Sequence, residues 1–229
     1  MHGLINRAIE CFVRDTYGEE RWGEVTRLAG LSFTGFEAML RYDDCITDNV
    51  LNAICDVLDR QQSEILEVLG TYLVSHPNVE GLRRLLRFGG VDFVDFLYSL
   101  DDLNDRARLA VADLHIPRLE LREHTSNQYS LLVRSDLDGF AHVFVGLLTA
   151  MADDYGALVM LEYGGRQGQV EGVARPVEVF GELGLGAVED LAGDRAYPAL
   201  HLRDDPSLEL GRHRPAVGRV AGRVHRQQH

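Results

Sequence analysis

The feature that most constrains this chain is a change of hydrophobic period at Pro117. Ahead of it, apolar residues recur every three or four positions, the spacing of a helix with one buried face. Beyond it, "RLELRE" and "YSLLVRS" alternate apolar with polar residues, the period of half-buried strands. Helical spacing returns through Phe140, Phe144, Leu147, Leu148 and Met151, and alternation returns in "ALVMLEY" and "GQVEGV". A chain patterned this way cannot be all helix or all strand. It predicts an α+β fold: a helical N-terminal part packed on a small four-stranded antiparallel sheet with an inserted helix.

Within the helical part, Ile5, Ala8, Ile9 and Phe12 predict a helix from Gly3 to Tyr17, stopped by Gly18. Further helices are expected from about Phe33 to Arg41, from an N-cap at Thr47 through Leu58, from Ser63 to Val74, and from Val79 to Arg87. Gly89 and Gly90 should break the chain before a long helix that buries Phe93, Leu97, Leu100, Leu103 and Ala107. "SNQ" suits the turn of the first hairpin, and Gly164 with Gly165 the turn of the second. After about Val179 the pattern fades, and Gly211–His229 holds five arginines, three histidines and no acidic residue. Residues 181–229 therefore read as a flexible Gly/Pro-containing, Arg/His-rich tail on a folded domain of residues 1–180.

Charge narrows the function. A net charge of −13 excludes general nucleic-acid binding, which needs clustered positive charge. No uninterrupted apolar run approaches a membrane span, and charges at Arg7, Glu10, Arg14 and Asp15 exclude a signal peptide, so a cytoplasmic protein is expected. Three cysteines, Cys11, Cys45 and Cys55, have no metal-ligand spacing and read as buried thiols. "GELGLGAVED" lacks the third glycine of a dinucleotide loop, and the pairs Asp43–Asp44, Asp101–Asp102 and Asp153–Asp154 read as helix caps and solvated charge. Nothing here makes an enzyme.

One residue breaks the pattern. Asn104 lies four positions after Leu100 and three before Ala107, on or beside the buried stripe. An amide there reads as a buried polar group whose hydrogen bonds are made inside the fold. The surrounding stretches add a second meaning. "MHGLINRAIECFVRDTYGEERW", "YDDCITDNVLNAICDVL", "ILEVLGTYLV", "LRFGGVDFVDFLYSLDDL", "IPRLELRE" and "SDLDGFAHVFVGLLTAMADDYG" together resemble the H-NOX (heme-nitric oxide/oxygen binding, HNOB) family over roughly residues 1–180.

The resemblance implies a regulatory sensor enclosing a b-type heme. It would respond to nitric oxide or carbon monoxide and signal to a cyclase, histidine kinase or cyclic-di-nucleotide enzyme. The residue following the family's "L-D-x-L" is the histidine that binds the heme iron; here it is Asn104, a poor donor to ferrous iron, so that bond is expected to be missing or weak. The family's Y-x-S-x-R propionate clamp falls on Val133, Ser135 and Leu137, of which only the serine is kept. Arg134 should point to the opposite strand face and is a poor substitute. Val143 stands at the distal position and offers no hydrogen bond to oxygen, while Pro117 and Ile5 match residues packing on the porphyrin. His115 is the nearest alternative metal ligand, ahead of His124 and of His142, which is expected to be exposed. Two readings follow: a sensor with an altered heme site, or a heme-free module on the same fold that takes an apolar ligand or a protein.

Overall fold

The structure, a computed structural model, describes residues 1–135, 137–167 and 170–182. The chain opens with α1 (Gly3–Tyr17), where His2 caps the N-terminus by accepting from the Leu4 amide. Gly18, at φ +90°, takes a left-handed turn that a side chain would resist, and α2 (Glu19–Leu28) follows at once. That helix was not expected. Its mean hydropathy is low, and it is held by Trp22, which is buried and donates from Nε1 to the Thr34 carbonyl.

Residues 33–41 are not helical, contrary to expectation. Their backbone is engaged by side chains: Arg14 and Trp22 donate to Thr34 O, and the buried Glu10 carboxylate accepts from Phe36 N. The helix-like spacing of Phe33 and Phe36 serves an aromatic cluster with Tyr42 instead. Next, α3 (Asp44–Leu58) starts after Asp43, one turn earlier than expected. Thr47 is inside the helix and donates its hydroxyl to Asn6 Oδ1 at 2.7 Å, so it is a buried tie between helices and not a cap.

After α4 (Gln62–Ser75), a 3₁₀ turn at Pro77–Val79 leads into α5 (Glu80–Arg87). The expected long helix is two short ones, α6 (Phe93–Tyr98) and α7 (Leu103–Ala110). The break has local causes. Ser99 Oγ donates back to Phe96 O, Arg106 takes the Ser99 carbonyl, and Asp101 accepts from the Leu121 amide. The stripe survives the break, because Phe93, Leu97, Leu100, Leu103 and Ala107 are all buried.

The remainder is β1 (Arg118–Thr125), β2 (Gln128–Arg134), α8 (Phe140–Tyr155), β3 (Ala157–Met160), β4 (Tyr163–Gln167) and β5 (Val170–Glu182). The antiparallel sheet runs β1-β2-β5-β3, with β4 also paired to β5. Five strands thus occupy the four places expected. β4 pairs with residues 170–173 of β5 and β3 with residues 178–182, so one edge is an interrupted strand. β4 runs through Gly164 and Gly165, which are therefore not the turn of the second hairpin.

Two hydrophobic clusters form the interior. One joins α6, α7, β2 and α8; the other joins α1, α2, α3 and α4. α8 belongs to both, with Phe144 and Leu147 in the first and Val143 in the second. It lies tight on α4: a Cβ added at Gly146 would stand 1.8 Å from Glu67 O, and one at Gly70 would stand 2.0 Å from Val143 O.

The cysteines depart from expectation, since Cys45 is exposed and Cys11 and Cys55 are only half-buried; all three are free. No helix among the described residues is long and apolar enough to cross a membrane. The expected tail lies outside the described residues from residue 183 onward.

Candidate functional site

Between the two clusters lies a cavity of about 310 Å³, at the lower end of the ligand-sized range. Ile5 and Ala8 of α1, Leu66 and Leu69 of α4, and Leu82 and Leu85 of α5 form part of its wall. Leu103 and Ala107 of α7, with Val143 and Leu147 of α8, form much of the rest. A second cavity of about 330 Å³ adjoins the first, sharing Ile5, Ile116, Pro117, Leu137 and Phe140 with it, and carries charged and polar side chains; it is called the mouth below.

The residues singled out from the sequence separate into distinct groups. Asn104 is half-buried at the mouth, and its Nδ2 donates to the Pro117 carbonyl at 2.7 Å. The amide therefore ties α7 to the segment leading into β1. Ser135 is also at the mouth, its Oγ accepting from the Leu137 amide at 3.1 Å. Leu137 is buried and contributes to both cavities, as do Pro117 and Ile5. Val143 lies on the wall of the apolar cavity. Val133 lines neither. Strand alternation turns Tyr129, Leu131 and Val133 into the core, where Val133 is 0% exposed.

The histidines are equally dispersed. His115 is exposed at the mouth, with Nδ1 bonded to Asp113 O at 2.8 Å. His124 pairs with Ser130 Oγ on the first hairpin. His142 is half-buried and not exposed as expected. It hydrogen-bonds Glu67 and stacks on Tyr163 at 4.2 Å, outside both linings.

Sequence reasoning missed the charge at the mouth. Arg108, Arg118 and Arg134 all line it. Arg108 follows Asn104 by four residues, a spacing that places both on one helix face, and this signal was available. Arg134 was set aside by strand alternation, but β2 ends at Arg134, and the terminal side chain reaches the opening. It pairs with Glu120 at 3.2 Å, as does Arg122 at 2.7 Å, and hydrogen bonds from Arg122 and Arg134 hold the Glu120 carboxyl below its usual range.

A helical half and an antiparallel sheet together enclose an apolar cavity of ligand size with arginines at its opening. The match of residues 2–163 to the haem-NO-binding (HNOB) family is more specific, and the chain belongs to that family. It is 25% identical over 154 residues to the soluble guanylate cyclase gcy-31 of Caenorhabditis elegans, covering 67% of this chain and 22% of that protein. It is 22% identical over 163 residues to soluble guanylate cyclase 89Da of Drosophila melanogaster, covering 71% and 24%. The chain thus spans about a quarter or less of these curated relatives. An iron(II) unliganded H-NOX protein from K. algicida superposes with a TM-score of 0.65 at 18% identity, over 80% of this chain and 99% of that one. A mutant H-NOX protein from S. oneidensis in the Fe(II) ligation state gives 0.67 at 15%, over 80% and 97%. The H-NOX fold is therefore shared.

The family implies heme, and the donor set tests that. Among the described residues, the apolar cavity is lined by no imidazole, thiolate or thioether. Asn104 spends its amide nitrogen on Pro117 O, and the first position of the propionate clamp is inside the core. The residues at the family's axial and clamp positions therefore do not fit the family's grip on an iron porphyrin, and the mouth holds one imidazole, that of His115, with Nδ1 engaged by Asp113 O.

Proposed function

We propose that this domain is a non-catalytic regulatory sensor whose ligand occupies the cavity through apolar contact, without a protein–iron bond. The observation that carries this reading is the position of the cavity at the junction of the two hydrophobic clusters. An occupant would touch α1 and α4 on one side and α7 on the other. It would therefore favour whichever relative packing of those elements fits it best, and a ligand shifts an equilibrium only through such differential contact. Sensing of nitric oxide or carbon monoxide, and signalling to a cyclase or kinase, are what family membership suggests; the retained fold supports a signalling role, and the donor set argues for a different ligand.

The test is a titration with the neutral fluorophore N-phenyl-1-naphthylamine and, separately, with hemin. Uptake of one fluorophore per chain, lost in Val143→Phe, is the expected result. A chain that refuses the fluorophore, or a variant that binds as well as the parent, overturns the cavity reading. A stoichiometric Soret band from hemin would restore the heme-sensing reading.

A further inference from the structure

The mouth of the cavity has a chemistry that apolar contact alone does not use. The chain is strongly acidic, at net −13, yet the described residues lining the mouth include three arginines and no aspartate or glutamate. Among the described residues, Arg108 and Arg118 have no carboxylate partner. Arg134 does have one, but Glu120 is also held by Arg122, so Arg134 can turn to a ligand without stranding that carboxylate. Ser135 accepts from Leu137 N and retains its hydroxyl proton as a donor. The opening thus offers positive charge and hydrogen-bond donors beside a chamber lined by apolar residues apart from Asp138, whose carboxylate is paired with Arg166, and Ile5, Ile116, Pro117, Leu137 and Phe140 are common to both.

We infer that the cavity binds a single-chain fatty acid, with its carboxylate among Arg108, Arg118 and Arg134 and its acyl chain in the apolar chamber. The inference rests on the proposed cavity-binding function and names the class of ligand. A guanidinium matches a planar carboxylate with two parallel hydrogen bonds, and this pairing is stronger than one between neutral groups. A chamber of about 310 Å³ has the volume to take one acyl chain. The head group keeps a partly solvated position, so its charge is not fully desolvated on entry.

The experiment is calorimetric titration of the full chain with dodecanoate, dodecanol and dodecyl phosphate, repeated on the double variant Arg108→Ser/Arg118→Ser and on the control Arg21→Ser, whose guanidinium pairs with Glu24 on α2 away from both cavities. Dodecanoate should bind at one per chain, at least about tenfold tighter than dodecanol, since a hydrogen bond to a charged group is the added contact. The double variant should lose at least that factor for dodecanoate and keep its dodecanol affinity, which also reports that it is folded. The control should match the parent. Equal affinity for acid and alcohol, or equal weakening of both in the double variant, overturns the carboxylate site while leaving the cavity reading standing. Tighter binding of dodecyl phosphate than of dodecanoate overturns the choice of carboxylate. If neither acid nor alcohol binds, both this inference and the cavity reading beneath it fail.

Discussion

Gly146→Ala should be among the most damaging small substitutions in the protein, although in isolation it favours a helix. Alanine in place of an interior helical glycine gains about 1 kcal/mol of intrinsic propensity. Against that, the new methyl would stand 1.8 Å from Glu67 O and 2.7 Å from Glu67 C, both backbone atoms of α4 that no rotamer change can move aside. To restore ordinary contact, α8 and α4 must part locally by roughly 1.5 Å, which forfeits much of the dispersion along the interface. Overpacking a well-filled interior costs about 1–3 kcal/mol, and contact with rigid backbone puts this site at the upper end, so the net loss should be about 2 kcal/mol. Gly23→Ala is the matched control. It lies inside α2 with nothing within 4 Å of the added Cβ, so it should stabilise by about 0.5–1 kcal/mol. Denaturant unfolding of the three proteins measures both signs. A Gly146→Ala protein at least as stable as the parent would refute the claim that these helices meet backbone to backbone.

Other substitutions test separate contacts. Val133→Tyr, which would rebuild one position of the propionate clamp, should instead destabilise by about 1–3 kcal/mol, because Val133 is fully enclosed by core; unchanged thermal stability would contradict that placement. Asn104→Ala leaves the Pro117 carbonyl without its amide donor and should cost about 1 kcal/mol by denaturant unfolding, whereas a neutral result would mean the tie between α7 and β1 carries nothing. Arg83 hydrogen bonds lower the Asp154 pKa, against the opposing effect of burial, so the folded value lies below the unfolded one. That stabilisation is present above the unfolded carboxylate value of about 3.9 and is lost as pH falls through the depressed folded value. Asp154→Asn should therefore be less stable than the parent at pH 7, by no more than about 1 kcal/mol for a partly exposed pair, and the gap should close toward pH 3. A gap that widens with acid would reverse the assignment.

The parts legible in the sequence are those where one strong period governs a whole element. α1, α4, β2 and α8 are such cases, each with a buried face that no local chemistry contradicts. Failures came where side chains compete for the backbone. Phe33–Arg41 carries helical spacing, but Glu10, Arg14 and Trp22 claim its amides and carbonyls from a distance of 12 to 26 residues. Ser99, Asp101 and Arg106 similarly interrupt a stripe that reads as continuous. At the site, Asn104 was visible as an anomaly, and its hydrogen bond inside the fold matches the plain reading of a satisfied polar residue. The arginine-lined mouth was harder to see because it gathers α7, the start of β1 and the end of β2, a conjunction set by tertiary packing.

Asn104 also bears on how such a domain can report its ligand. A histidine bonded to a metal would make the position of α7 depend on that metal. The amide instead ties α7 to Pro117 through a bond within the chain, a restraint that an occupant moving α7 has to work against. Under the proposed function, the signal must then travel by a different route. Leu103 and Ala107 press on the cavity from α7, and Leu82 and Leu85 press on it from α5. α5 is joined to α8 by Arg83 and Asp154, and Tyr155 at the end of α8 donates to the Arg87 and Gly90 carbonyls. A ligand that displaces α5 therefore works against charged and hydrogen-bonded contacts at the surface, while one that displaces α7 works against the Asn104 tie. With a net hydrogen bond worth about 1 kcal/mol, neither restraint outweighs the burial of a long acyl chain at about 25 cal/mol per Å². The cavity can thus bias either helix, and hydrogen exchange in α5 and α7 with and without dodecanoate would show which one moves.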